Sequence, residues 1–237
     1  MARLRVLAAA LLCATGPAAS AGASEDPGSA ATSEPPRPAC VEDLARRVQR
    51  RYEAMQSLTA RFEQTTRVAS LGSASSAADA SQGVVTLAKP GKMRWAYEEP
   101  EPSLVVSDGE TLWTYDPELN EVQRFPVTDG LLEGAAVQFL IGRGDILREF
   151  EVSGGPCEES PARLTLVPRE PASYSQLELR VDASNGEIVE SSIVDLFGNV
   201  TRVRFREIRI DLDIPPETFR FTPPPGARVL EAGPEER

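Results

Sequence analysis

The sequence predicts a mostly β protein with helices, in which one meandering antiparallel sheet is curled or closed and carries the helices on one side. Short segments with period-two hydrophobicity alternate with turn residues, which gives about ten strands. No β-α-β unit, typically of roughly 30 residues, separates them, so a parallel sheet is not expected. Helical periodicity occurs at two places, residues 41–55 and 131–141.

The first 23 residues are predicted to be a secretory signal peptide. Arg3 and Arg5 precede an apolar run over residues 6–14, and small residues follow around Ala21. That run is too short to span a bilayer, and no later stretch approaches about 18 uninterrupted apolar residues. Residues 24–39 are rich in Pro, Ser and Ala and are predicted to be a flexible lead-in to the folded domain.

The folded part begins with a helix that runs directly into a strand. Apolar residues recur at the 3, 4, 7 spacing of one helix face, and several arginines lie off that face. From Leu58 the period changes to two, with Leu58, Ala60 and Phe62 on one side of a strand. The apolar residues of the helix are Val41, Leu44, Ala45, Val48, Tyr52 and Met55.

Turn signals divide the rest of the chain into strands. Asp108-Gly109 predicts a hairpin with a type I′ turn, in which both residues have positive φ. A phase change in the hydrophobic pattern near Arg206-Glu207 predicts a β-bulge. The predicted strands cover residues 83–88, 93–97, 103–106, 111–115, 121–125, 163–167, 176–181, 187–195 and 201–212, with a brief last strand over 219–221.

Composition excludes several classes of function. The chain has 237 residues and no histidine, which removes the usual general base and a common zinc ligand. Its formal charge of −11 and the lack of a visible basic patch exclude a nucleic-acid partner. No nucleophile elbow, P-loop or dinucleotide-binding motif is present. We therefore expect neither an enzyme nor a bound cofactor or metal.

Aromatic residues concentrate in one region. Trp95, Tyr97, Trp113 and Tyr115 fall on neighbouring predicted strands, with Met93 beside them. On one helix-covered concave face they would form either ordinary core or an apolar ligand pocket. Periodicity does not separate these two interpretations.

Cys40 and Cys157 are the two cysteines that remain after the predicted signal peptide. In an exported chain such a pair suggests a disulfide, and two free thiols are the alternative.

Several stretches resemble the LolA family, the periplasmic carriers of outer-membrane lipoproteins. They are Gly91–Trp95 (G-K-M-R-W), Pro100–Tyr115 with its S-D-G-E-T-L-W run, and the ending F-R-F-T-P-P from Phe219. The helix-to-strand opening that ends in R-F-E-Q, from Arg61, is also similar. The resemblance covers nearly the whole mature chain and implies a single LolA-like domain over residues 40–230, with a tail over 231–237.

The resemblance also implies the architecture and the function. The sheet would be a half-open antiparallel β-barrel with a helical lid on its concave face. The chain would be a monomeric chaperone in the periplasm that holds the acyl chains of lipoproteins in an apolar cavity. It would receive them from an inner-membrane ABC lipoprotein-releasing transporter and deliver them to an outer-membrane acceptor, if one is present.

Matched by position, Trp95 and Val105 would line the cavity, and Phe139 and Ile141 would lie on the lid. Tyr52 and Met93 are further candidate lining residues. Where the family commonly has an arginine that latches the lid through its backbone carbonyls, this sequence has Lys89.

Lysine keeps the charge but lacks the planar donor fork of arginine, so the latch would be weaker or organised differently. This departure leaves an alternative open, a LolA-like lipid-binding or envelope-sensing module that does not shuttle lipoproteins.

Overall fold

A computed structural model of the protein describes residues 39–69, 80–127, 144–157 and 159–231. Within this part, twelve strands form one sheet and two α-helices accompany it, α1 (Ala39–Ala54) and α2 (Ile146–Glu149). The predicted signal peptide, most of the lead-in and the predicted helix over residues 131–141 lie outside the described residues. The strands are β1 (Ser57–Arg67), β2 (Ser81–Ala88), β3 (Lys92–Glu99), β4 (Ser103–Asp108), β5 (Thr111–Asp116), β6 (Glu121–Pro126), β7 (Phe150–Gly154), β8 (Ala162–Pro168), β9 (Tyr174–Asp182), β10 (Glu187–Asp195), β11 (Val200–Ile210) and β12 (Arg228–Glu231).

The sheet is open and meanders, which confirms the predicted fold class. Its strand order is β12-β6-β5-β4-β3-β2-β1-β11-β10-β9-β8-β7, so β12 and β7 are the edge strands. Nearly all pairs are antiparallel and sequentially adjacent, but β1 pairs with β11 and thereby joins the two halves of the chain. The β12–β6 pair is parallel, an exception that local sequence patterns did not predict.

Successive side chains along each strand point to opposite sides, so the sheet has two distinct faces. The inner face is the one that packs on α1, and it carries the larger apolar core, with Leu58, Phe62, Val85, Leu164 and Leu179 among its members. The outer face carries a smaller buried set, which consists of Val106 and Val122 on the sheet and of Phe219 in the 3-10 helix Pro216–Phe219, and this helix packs on β3 and β4.

Helix α1 forms because its apolar residues share one face. Val41, Leu44, Ala45, Val48 and Tyr52 are buried, as the spacing predicted. The helix packs against β7, β10 and α2, so it covers the β7–β10 half of the inner face. None of the described helices is long and apolar enough to cross a membrane.

The helix is fastened to the β9–β10 hairpin by polar contacts. The Tyr52 hydroxyl accepts a hydrogen bond from the Ile188 amide at 3.1 Å. Arg51 pairs with Glu187, and the Arg47 guanidinium donates to the Ala183 carbonyl. Gly186 has a φ of +78°, and a Cβ there would lie 3.0 Å from the Arg47 backbone, so this close approach requires glycine.

A disulfide joins Cys40, in the first turn of α1, to Cys157, after β7. The two Cα atoms are 6.1 Å apart, within the range that a disulfide spans. It closes a loop with a sequence separation of 117 residues and so ties the start of the domain to the far edge of the sheet.

Some local predictions are confirmed and others are wrong. The bulge is present, since Arg61 pairs with Arg206 but Thr59 pairs with Arg209, and Glu207 has a φ of +54°. The Asp108-Gly109 hairpin is also present, but only Gly109 has positive φ, so the type I′ assignment is wrong. Asp108 instead accepts backbone hydrogen bonds from Glu110 and Thr111, a role that its side chain fulfils at negative φ.

The strand predicted over residues 219–221 is not formed. Pro215 and Pro216 favour a turn there, and Phe219 is instead the last residue of the 3-10 helix, with its side chain buried against the sheet. The short elements α2 and β7 and the edge strand β12 were not predicted from the sequence.

Three tyrosines make the fold sensitive to alkaline pH. Burial raises the pKa of Tyr52, of Tyr97 and of Tyr174 from 10.0 to about 12 in each case. Between these two pH values the unfolded chain loses protons that the folded chain retains, so folding becomes less favourable as pH rises. We expect the free energy of unfolding to fall between about pH 10 and pH 12, by on the order of 2 kcal/mol for Tyr52, the most deeply buried of the three, and by less for the others.

Urea unfolding at a series of pH values measures this effect. In Tyr52→Phe the decrease should be smaller, and at neutral pH that variant should be less stable by about 1–3 kcal/mol, because the Ile188 amide loses its acceptor. An identical pH profile for the variant would contradict the assignment of Tyr52 as one of the responsible groups.

Candidate functional site

An aromatic cluster occupies the inner face beyond α1. The Phe62 ring lies 4.9 Å from the Trp95 ring and 5.0 Å from the Tyr97 ring, both edge to face. The Trp95 and Phe205 ring centroids are 6.4 Å apart. Such geometries are favourable for aromatic pairs beyond the area that they bury. We refer to Phe62, Trp95, Tyr97 and Phe205 as the aromatic cluster.

Strand register explains why these rings meet. Phe62 on β1 pairs with Gly83 on β2, and Gly83 pairs with Tyr97 on β3. Because Gly83 has no side chain, the rings on either side approach over it. A Cβ at this position would lie 2.0 Å from the Ala96 carbonyl oxygen, so the strand spacing here also requires glycine.

The floor of the cluster extends across the next strands. Val85 pairs with Trp95, and Trp95 pairs with Val105, so the same face continues from β2 to β4. Leu112 and Phe125, a register pair on β5 and β6, carry it further. The aliphatic residues here are buried, whereas Trp95, Tyr97 and Phe125 are only half-buried. The face therefore presents apolar and aromatic surface above a closed aliphatic floor.

The polar groups around the cluster are few and satisfied. The Tyr97 hydroxyl donates to the Gln64 side-chain oxygen at 3.0 Å, and the buried Ser107 hydroxyl accepts from the Gly109 amide at 3.1 Å. In the described part of the chain no buried side-chain nitrogen or oxygen is left without a partner, and no group of three acidic or cysteine side chains could hold a metal ion. The polar groups beside the cluster are therefore already hydrogen-bonded, and the surface that remains there is aromatic and apolar.

The structure brings three of the predicted site residues together. Met93, Trp95 and Val105 all belong to the inner face, with Met93 and Val105 buried and Trp95 half-buried. Tyr52 is 3% exposed and bonds to β10, which is the position of an anchor for α1. Phe139 and Ile141 lie outside the described residues. Contact of any of these residues with a ligand stays a prediction.

The expectation that all four aromatic strand residues share one face is wrong. Trp95 and Tyr97 are on the inner face, but Trp113 and Tyr115 lie on the outer face with Phe221, at 6.3 and 5.8 Å between ring centroids. The register explains this, since Trp95 pairs with Val105 whereas Trp113 pairs with Val106 on the other side of the sheet. The two tryptophans therefore lie on opposite faces of the sheet.

Phe62 and Phe205 were missing from the predicted site. The sequence pattern already placed Phe62 on the apolar side of the first strand. Phe205 was harder to assign, because the bulge at Glu207 shifts the alternation between Phe205 and the pair Ile208 and Ile210. Only the pairing of Phe62 with Phe205 shows that both belong to one cluster.

Lys89 lies where β2 ends and binds the last turn of α1. Its ammonium donates to the Tyr52 and Glu53 carbonyls, each at 2.7 Å. Partial burial lowers the pKa of Lys89, and Glu53 and Asp211 oppose that effect. A cation at these carbonyls complements the helix dipole and fills acceptors that the helix leaves open. A latch between Lys89 and the predicted lid would involve residues outside the described ranges and stays a prediction.

Replacing Lys89 tests its described contacts. We expect Lys89→Met to lower the free energy of unfolding by about 1–2 kcal/mol, because two helix-terminal carbonyls lose their charged donor. Lys89→Arg keeps the charge and should recover most of that loss. Urea denaturation of both variants measures the effect, and equal stability of the Met variant and the wild type would show that the capping contacts contribute nothing.

Comparison with known proteins gives a consistent result. The family model described as "Outer membrane lipoprotein carrier protein LolA" matches residues 53–222. A protein named outer-membrane lipoprotein carrier protein from Alkalilimnicola ehrlichii is 35% identical, over 83% of this chain and 88% of that protein. A protein of the same name from Dechloromonas aromatica is 34% identical, over 63% of this chain and 71% of the relative.

A crystal structure of an uncharacterized conserved protein from Thermus thermophilus has a similar fold. It superposes with a TM-score of 0.51 and 14% identity, over 81% of this chain and 98% of the other. At this identity the likeness concerns the fold alone.

Proposed function

The chain belongs to the outer membrane lipoprotein carrier protein LolA family, and from that premise we propose that it carries lipoproteins by holding their acyl chains against the aromatic cluster. The single observation that supports this role best is the half-buried aromatic surface of the inner face, which lies wholly within residues 53–222. The role is binding and release rather than catalysis.

The physical requirement for such a carrier is apolar shelter. Each buried CH₂ contributes about 0.8 kcal/mol, so a long acyl chain does not stay in water without an apolar partner. Flat rings suit this task because they offer large contact area and little conformational freedom to lose. The aliphatic floor of Val85, Val105 and Leu112 keeps water from beneath the rings.

The proposal includes the location and the partners. The carrier works in the periplasm as a monomer, accepts lipoproteins from an inner-membrane ABC transporter and passes them to an outer-membrane acceptor where one exists. The domain extends over residues 40–230, after a signal peptide over 1–23 and a lead-in over 24–39, with a tail over 231–237. Phe139 and Ile141, which lie outside the described residues, complete the proposed acyl contact.

Extraction of a lipoprotein from membranes tests the function. Inner-membrane vesicles that contain the transporter and a triacylated lipoprotein are incubated with the mature chain, from Ser24, and the soluble fraction is separated. We expect a soluble one-to-one complex of carrier and lipoprotein. The matched control is the same lipoprotein without its acylated cysteine, which should give no complex.

Two outcomes would count against the carrier role. Equal complex formation with the unacylated control would exclude recognition through acyl chains. Binding of free phospholipid without any extraction of lipoprotein would favour the alternative, a lipid-binding or envelope-sensing module.

A further inference from the structure

The β10–β11 turn presents two large apolar side chains to solvent. Leu196 is 66% exposed and Phe197 is 80% exposed, although both rank among the most hydrophobic residue types. They do not touch the aromatic cluster, since they lie beyond the last paired residues of β10 and β11. The proposed cargo site therefore gives no reason for their exposure.

The turn that carries them is held by a dense set of hydrogen bonds. The Asp195 carboxylate accepts from the Phe197 amide at 2.8 Å and from the Asn199 amide and side chain at 2.9 and 2.7 Å. The Asn199 oxygen in turn accepts from the Ala69 amide at 3.0 Å, which ties the turn to the end of β1. A turn fixed in this way presents its apolar pair at little further cost in conformational entropy.

Exposed arginines surround the same end of the sheet. Arg67, the last residue of β1, is exposed and makes no ion pair with any residue in the described ranges. Arg202 lies two residues after Val200, the first residue of β11, so it is about 7 Å along the strand from the turn. This distance is shorter than the Debye length at physiological salt, so a charge on Arg202 acts at the turn. Further along the outer face follow Arg204, Arg206 and Arg61.

These arginines give a local excess of positive charge in an acidic chain. Three carboxylates face them: Glu190 pairs with Arg202 and Arg204, Glu63 with Arg204 and Arg206, and Glu98 with Arg61. Strands β1 and β11 carry six arginines, Arg209 included, against Glu63 and Glu207, and Glu190 and Glu98 pair with them from neighbouring strands. Six arginines against four glutamates leave this region positive, whereas the whole chain carries −11.

We propose that Leu196 and Phe197, together with Arg67 and Arg202, form a docking site for the surface of an anionic phospholipid bilayer. A bilayer has an apolar interior beneath a layer of negative headgroups. On this surface the two apolar side chains would enter the interior, and the arginines behind them would lie at the level of the headgroups. A protein partner would need an acidic patch and an apolar pocket at matching positions, whereas a bilayer provides negative headgroups and an apolar interior everywhere on its surface. The acidic β3–β4 corner, with Glu99 and Glu101, is at the same end of the sheet as the tip, but β2 and β1 separate β3 from β11.

Vesicle flotation with the cargo-free mature chain, from Ser24, tests the proposal. The vesicles contain either phosphatidylcholine alone or phosphatidylcholine with phosphatidylglycerol. We expect Leu196→Ser with Phe197→Ser to weaken binding to the mixed vesicles at least about tenfold, because two apolar side chains no longer enter the bilayer. Arg67→Gln with Arg202→Gln should weaken binding to the mixed vesicles by about fivefold per arginine and should leave binding to neutral vesicles unchanged.

Leu119→Ser is the matched control, since Leu119 is 69% exposed on the β5–β6 turn and has no part in the proposed site. It should bind vesicles as the wild type does. Wild-type protein that does not float with mixed vesicles would overturn the proposal, and so would full binding by the double serine variant or an equal loss in the control. Because no cargo is present in this experiment, none of these results bears on the proposed carrier function. Conversely, failure of lipoprotein extraction would not contradict docking to vesicles.

Discussion

Trp95→Ala is expected to weaken the binding of a triacylated lipoprotein by about 2–3 kcal/mol, roughly a 30-fold to 160-fold loss of affinity. Trp95 is the centre of the aromatic cluster, where it contacts Phe62 and Phe205 and lies over Val105 of the neighbouring strand. If acyl chains lie on this face, its half-buried ring would offer them more contact area than the buried aliphatic residues around it. Calorimetric titration of the chain with a triacylated lipopeptide measures the effect.

The chain provides its own control for this result. Trp113 is the other tryptophan, it is also half-buried, and it lies on the outer face against Phe221. Trp113→Ala should reduce stability to a similar extent but should leave the affinity within about twofold, since a change of that size is below 0.5 kcal/mol. Equal losses of affinity in the two variants would indicate general destabilisation and would contradict an acyl site on the inner face.

Loss of the disulfide is expected to have the largest effect on stability. Replacing Cys40 and Cys157 with serine should lower the free energy of unfolding by about 3–5 kcal/mol, since the bond restricts a loop with a sequence separation of 117 residues in the unfolded chain. The bond also holds the first turn of α1 beside β7, so the helix end should fray without it. Urea unfolding with and without reductant measures the change.

The doubly substituted chain is the control for the reductant. Reductant should shift the unfolding midpoint of the wild type to that of the variant and should leave the variant itself unchanged. A wild-type midpoint that does not respond to reduction would show that the crosslink does not contribute to stability.

Much of the fold was predictable because it depends on local periodicity. Helix α1 follows from apolar residues at helical spacing, and strands such as β3 and β9 follow from strict alternation. The elements that were missed depend on distant partners. Strand β12 has four residues and exists only because Arg228 and its neighbours pair with Glu121 and the residues after it, more than 100 positions earlier.

The candidate site was partly predictable for a similar reason. Met93, Trp95 and Val105 were identified by resemblance, and the register places them on one face. Local alternation could not show that Trp113 points the opposite way, because the phase between β3 and β5 depends on the turns that connect them. The cluster as a whole requires the long-range pairing of Phe62 with Phe205 across β1 and β11.

Native mass spectrometry of the protein purified from the periplasm of its own cells determines whether the chain carries lipoproteins. We expect a one-to-one complex with a triacylated lipoprotein, either as isolated or after incubation of the empty carrier with that lipoprotein. A chain that stays empty in the presence of excess triacylated lipoprotein would contradict this expectation. In that case the aromatic cluster would be part of the core, and the family relationship would describe the fold alone.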